Sequence, residues 1–176
     1  MDHTACHGGF EIAYTVHGEG PPLLLVPGIT QSAQRWVEAG YVDALSSSRR
    51  VVSVDPLGHG RSSKTSHIEA YAADRLTEHL LAVMDDAGIE SADVWGYSRG
   101  ASMAGRLANS HPHRVERLVV GGIPLFDTRP IMRALGMVPE RDVVDERHRR
   151  CLEGDWSAYW EGFPLPLPDE VKADLA

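Results

Sequence analysis

The apolar and polar positions of the chain alternate between two periods. Phe10 to His17 alternates apolar and polar residues and runs into Gly18-Glu19-Gly20, which predicts an edge strand and a turn. Leu23-Leu24-Leu25-Val26 is a short unbroken apolar run, the pattern of a central strand buried on both faces. Gln31 to Leu45 then reads as a helix, with Thr30 or Ser32 placed to cap it. Arg50 to Val54 is the next strand and ends at Asp55. Ser66-His67-Ile68-Glu69 has the form of a capping box, and the helix after it sets Leu76, Leu80, Met84 and Ala87, with Val83 adjoining, on one face. Gly88 closes that helix as a C′ residue would. Asp93 to Tyr97 predicts a strand, Ala101 to Asn109 a helix, and Val115 to Val120 a further strand ending in Gly121-Gly122.

Strand–helix alternation at this pace implies parallel strands joined by right-handed crossovers. The expected fold class is therefore α/β, with a doubly wound, mostly parallel sheet. After Pro124 the texture changes. Asp127 to Arg150 is charged, with Arg and Glu at helical spacings, and Asp155 to Pro168 gathers Trp156, Tyr159, Trp160 and Phe163 among prolines. We read residues 1–124 as the core and residues 125–176 as a helical cap or lid segment. Its aromatic residues either cover a pocket or anchor a helix to the core.

At 176 residues, 43% hydrophobic and 24% charged, the chain is long enough for one soluble domain with its own core. A formal net charge of −8 argues against a nucleic-acid partner and against an anionic membrane surface. The two cysteines, Cys6 and Cys151, are far apart and suit a reducing, cytoplasmic setting better than a disulfide framework. Met1 to Gly9 has no apolar signal-peptide region, and the longest apolar run, Pro21 to Pro27, is too short to span a bilayer. There is no Walker A loop, no G-x-G-x-x-G fingerprint and no zinc-ligand spacing, so neither a cofactor nor a metal is expected.

The richest chemistry lies in Gly96-Tyr97-Ser98-Arg99-Gly100. This is G-x-S-x-G between a strand and a helix, the context of a nucleophile elbow. The glycines allow the sharp turn, and the helix N-terminus favours developing negative charge near the serine hydroxyl. A neutral hydroxyl still needs a base within hydrogen-bond reach and a group that orients the base. The backbone N–H of Arg99, the residue after the nucleophile, would be one oxyanion donor.

Taken in order, several segments resemble the α/β-hydrolase superfamily, in its esterase, lactonase and carbon–carbon hydrolase group. Phe10 to Gly20 is similar to the family's opening hairpin, Leu23 to Thr30 to its third strand and oxyanion loop, and Asp55-Pro56-Leu57-Gly58-His59-Gly60-Arg61-Ser62 to its D-x-x-G-x-G-x-S loop. Gly96 to Gly100 matches the elbow, and His111 to Leu118 resembles the run into the sixth strand. The resemblance covers roughly residues 10 to 124 well and the rest weakly.

The resemblance implies that the second oxyanion donor is the N–H of Ile29, although the usual His-Gly is here Pro27-Gly28. Gly28, Tyr97, Trp156 and Trp160 would line the substrate pocket. Asp55 and His59 would be structural rather than catalytic. In some members the orienting carboxylate follows the sixth strand, which makes Asp127 the candidate acid; the alternative is an N-cap for the next helix. Chain order then requires a later histidine, and only His148 lies beyond Asp127, in a charged stretch that reads as a solvated helix face. Arg99, where an uncharged residue is more usual, would either bind a substrate carboxylate or serve a structural pairing.

The expected activity is thus a serine hydrolase acting on a small-molecule ester, lactone or similar acyl bond. The sequence shows no seventh or eighth strand and no closing helix, so the expected chain is the N-terminal part of such a fold, cut within its cap. The alternatives are an inactive fragment, a non-catalytic ligand-binding protein on the same fold, or an enzyme completed by a homo-oligomer or a separate C-terminal chain.

Overall fold

A computed structural model describes residues 1–122 and 149–150. By its contacts the chain divides at Ile123 and Pro124 into two units, and the first of these is described below. Asp127, His148, Trp156 and Trp160, together with the rest of the expected lid apart from Arg149 and Arg150, lie outside the described residues.

The sheet has six strands: β1 (Asp2–His7), β2 (Phe10–His17), β3 (Pro22–Val26), β4 (Arg50–Val54), β5 (Ala92–Tyr97) and β6 (Val115–Gly121), in the order β1-β2-β4-β3-β5-β6. β1, β2 and β4 pair antiparallel; β4, β3, β5 and β6 pair parallel. The helices are α1 (Gln34–Glu38), α2 (Tyr41–Ser46), α3 (Ala73–Asp86) and α4 (Arg99–Ser110).

β3 shows why the sheet must be covered twice. Its residues alternate between faces. Leu24 and Val26 join Val52, Val94, Leu80, Met84 and Leu107 in one core, while Leu23 and Leu25 join Trp36, Val42 and Val51 in another. An unbroken apolar run is the sequence form of that two-sided burial, and the outcome is the expected doubly wound α/β sheet.

Four local expectations are corrected. The edge strand is β1, not Phe10 to His17: β2 lies inside the sheet, and the opening hairpin turns at Gly8-Gly9, both at positive φ. Only Ala5 of β1 is buried, so no apolar alternation announced it. Gln31 to Leu45 forms two short helices rather than one, because Gly40 takes a left-handed φ of 78° between them. Neither Thr30 nor Ser32 caps α1; the Ala33 N–H instead donates to Asp55 Oδ1 at 2.6 Å. The Ser66–Glu69 capping box is not formed either. Ile68–Tyr71 is a short 3₁₀ turn without a side-chain cap, and α3 starts only at Ala73. Its buried face carries Leu76, Leu80, Val83 and Met84 as the spacing predicts, and Gly88 follows its end at a φ of 65°.

Candidate active site

Ser98 is the single residue between the end of β5 and the start of α4. Its backbone is at φ 53°, ψ −119°, a region that L-residues avoid. Both sides of the residue are tied down. Its N–H donates to Gly121 O on β6 at 2.7 Å, and its carbonyl accepts the Ala101 N–H at 2.9 Å and the Ser102 N–H at 3.3 Å. Strain of this kind persists only where surrounding structure over-determines it.

The two glycines of the motif are required by space. A Cβ added at Gly96 would run into the Gly100 carbonyl, and one added at Gly100 would run into the carbonyls of Val26 and Pro27 at the end of β3. The elbow therefore packs backbone to backbone against the next strand. Gly28 brings the loop after β3 in as well: a Cβ there would lie 3.3 Å from Ser98 Cβ and 3.5 Å from Tyr97 Cδ1. Gly28, Tyr97 and Ser98 are thus assembled at one place, with Ile29 and Arg99 as their chain neighbours.

The loop is held by its own hydrogen bonds. Gly28 N–H donates to Gln31 Oε1 at 3.1 Å, Gln31 N–H to Gly28 O at 3.3 Å, and Thr30 N–H to His59 Nε2 at 3.1 Å. Thr30 takes a φ of 63°. Among the described residues, no acceptor takes the N–H of Ile29 or the N–H of Arg99. The N–H groups of Gly28, Thr30 and Gln31 on the same loop are all taken.

His59 was expected to be structural, and its bonding shows how it acts. With Nε2 accepting from Thr30, Nδ1 carries the proton and donates to Leu57 O at 3.1 Å. Burial pushes its pKa below the ordinary histidine value; the Leu57 carbonyl opposes this, and the Arg99 charge adds to it. Both ring nitrogens are engaged, so His59 braces the loop as a neutral ring. The D-x-x-G-H-G-x-S segment signals the loop but not this contact, because Thr30 lies 29 positions away in the chain. Asp55 is likewise fully engaged, accepting the N–H groups of Ala33 and Arg61 with a buried carboxylate. Among the described residues, no side chain hydrogen-bonds to Ser98 Oγ.

Two cavities lined by described residues open nearby, and neither is lined by Ser98. One of about 430 Å³ lies behind the Asp55–Arg61 loop, against Asp2, Thr15 and Ser32. The other, about 310 Å³, runs past Tyr97 along Trp36, Tyr41 and Trp95. Among the described residues no cluster of three or more His, Cys, Asp or Glu could hold a metal ion, and no helix is long and apolar enough to cross a membrane.

Comparison with known proteins agrees with this fold. The family model of the alpha/beta hydrolase fold matches residues 21–143. The chain is 29% identical over 162 residues to a Bacillus subtilis (strain 168) protein named provisionally as a 2-succinyl-6-hydroxy-2,4-cyclohexadiene-1-carboxylate synthase, a match over 88% of this chain and 56% of that one. It is 37% identical over 105 residues to the 2-hydroxymuconate semialdehyde hydrolase of Pseudomonas putida, over 60% of this chain and 37% of that one. Its structure resembles an epoxide hydrolase from Vigna radiata with a TM-score of 0.69 at 25% identity, over 77% of this chain and 46% of that one. The chain thus spans roughly a third to just over half of the length of the relatives it matches. A sheet of this order, an elbow at Ser98 and a family match over most of the chain lead to one conclusion: the protein belongs to the α/β-hydrolase fold family.

Proposed function

We propose that this chain carries the nucleophile of a serine hydrolase acting on a carboxylic ester, lactone or similar acyl bond. The observation that carries the reading is the backbone of Ser98. Ser98 is held strained between β5 and α4, and among the described residues no acceptor takes the N–H groups of Ile29 and Arg99. In the reaction Ser98 Oγ attacks the carbonyl carbon, and the N–H groups of Ile29 and Arg99 hold the oxygen as it becomes negative. Gly28 and Tyr97 line the acyl pocket, and Trp156 and Trp160 belong to the lid. The proton from Oγ passes to a histidine outside the described residues. His148 and Asp127 are this chain's own candidates for base and acid.

The relatives support hydrolysis more broadly, since they include proteins named for cleaving a semialdehyde and an epoxide. A second reading is a binding protein on the same fold. It is favoured by the absence, among the described residues, of any side chain on Ser98 Oγ.

Turnover of a short-chain 4-nitrophenyl ester by the purified chain beside Ser98→Ala separates the two. The hydrolase reading expects turnover that falls to background in the variant, a loss of about a thousandfold or more. Equal background rates in both, with the ester still raising the melting temperature, would favour the binding protein.

A further inference from the structure

Arg99 stands apart from the other cations of the molecule. Among the described residues it is the one arginine whose side chain has neither an ion pair nor a hydrogen bond. Even exposed arginines here find carboxylates: Arg75 reaches Glu78 and Arg106 reaches Asp74, both at 2.9 Å. Arg99 is half-buried, yet its planar fork of donors finds no acceptor among the described residues.

Its position is at the site. Arg99 follows Ser98 directly, and its charge acts on His59, whose ring holds the Thr30 N–H beside Ile29. The guanidinium therefore lies within electrostatic reach of the ring that holds the loop after β3. Among the described residues no carboxylate pairs with it. His59 is uncharged, and Asp55 already serves Ala33 and Arg61. On a chain of net charge −8 this is a local reversal of sign, one that suits an anion brought in by a ligand.

We infer that Arg99 receives a carboxylate of the substrate, so that the preferred acyl compound is an anionic one, such as the half-ester of a dicarboxylic acid. A carboxylate matches the guanidinium fork with two parallel hydrogen bonds, which a lysine at the same place could not reproduce. The inference rests on the serine-hydrolase reading for the bond attacked, but not for the binding itself.

The test compares mono-4-nitrophenyl glutarate with the uncharged 4-nitrophenyl pentanoate. The expected result is a kcat/KM ratio favouring the half-ester, which Arg99→Gln lowers by roughly tenfold to a hundredfold, mainly through KM. Arg99→Lys should fall between the two, and added salt should shrink the ratio in the parent chain. A ratio unchanged by either substitution overturns the inference and leaves the serine mechanism standing. Calorimetric binding of monobenzyl glutarate to Ser98→Ala, with and without Arg99→Gln, gives a readout independent of turnover. Binding to Ser98→Ala that depends on Arg99, together with a parent chain that turns over neither ester, upholds the inference and sinks the hydrolase reading. Equal binding with and without Arg99→Gln, in variants of equal melting temperature, sinks the inference.

Discussion

Ser98 holds a conformation that its neighbours impose. Backbone placement of a non-glycine residue in such a region costs on the order of 1–3 kcal/mol. The Gly121, Ala101 and Ser102 hydrogen bonds keep it there, and the contact of Gly96 with Gly100 leaves the chain no other path. Relief of that strain should appear as stability. Ser98→Gly should raise the unfolding free energy by about 1 kcal/mol in urea titration, after the larger entropy of glycine in the unfolded chain is offset. Ser98→Ala, which keeps a Cβ, should be close to neutral. If the glycine variant were the less stable of the two, the strain would not be real. Arg99 belongs to the same scale: its side chain is unexplained by any contact within the described fold, and an anionic substrate gives it a purpose.

The segment between β4 and α3 works as a brace rather than a loop. Asp55 accepts the Ala33 N–H at 2.6 Å and the Arg61 N–H at 3.0 Å, and Ser62 Oγ accepts the Ala13 N–H at 2.8 Å while donating to Asp55 O. Gly60, at a φ of 50°, leaves room for the Asp55 carboxylate that a Cβ would strike. One buried carboxylate thus joins the start of α1 to the strand that precedes the brace. Asp55→Ala would leave two N–H groups without acceptors and should destabilise the protein by about 3 kcal/mol or more, with Asp55→Asn losing less because one carbonyl oxygen remains. Equal stability of the alanine variant and the parent in urea would refute this bracing role. The sequence showed the D-x-x-G-x-G-x-S pattern but not the joint it makes, because Ala33 lies 22 positions earlier in the chain.

At the scale of the molecule, two histidines make stability depend on pH. His59 and His79 are both held below the ordinary histidine pKa, chiefly by burial. For His79, Glu78 opposes the shift while His7 and Arg75 add to it, and its Nδ1 has no hydrogen-bond partner. The unfolded chain therefore binds protons more readily than the folded one. Their contribution is fully present above pH ~6.5 and is lost as pH falls through their lowered folded values. His79→Leu should flatten the decline of unfolding free energy between pH 7 and pH 5, with the residual slope left to His59. Parallel curves for parent and variant would show that His79 does not drive the decline. The two sheet edges also differ: β1 carries Asp2, His3 and His7, whereas β6 exposes Leu118 and Val119.

The residue pattern by itself determined strands β2 to β6, their order along the chain, the apolar face of α3, the presence of α4, and the turn at Ser98. Each of these rests on interactions between residues close in sequence or on a face repeated at a fixed period. It did not determine β1, which is a strand because β2 offers it a partner and not because its residues alternate. Nor did it determine the caps, since the Ala33 N–H is satisfied by Asp55 and the nearer hydroxyls of Thr30 and Ser32 are not used. The bracing of Thr30 by His59, the meeting of Gly28 with Ser98 and the unpaired state of Arg99 were decided by tertiary structure alone. All three depend on loops that end at the same edge of a parallel sheet, and only the folded sheet brings those edges together.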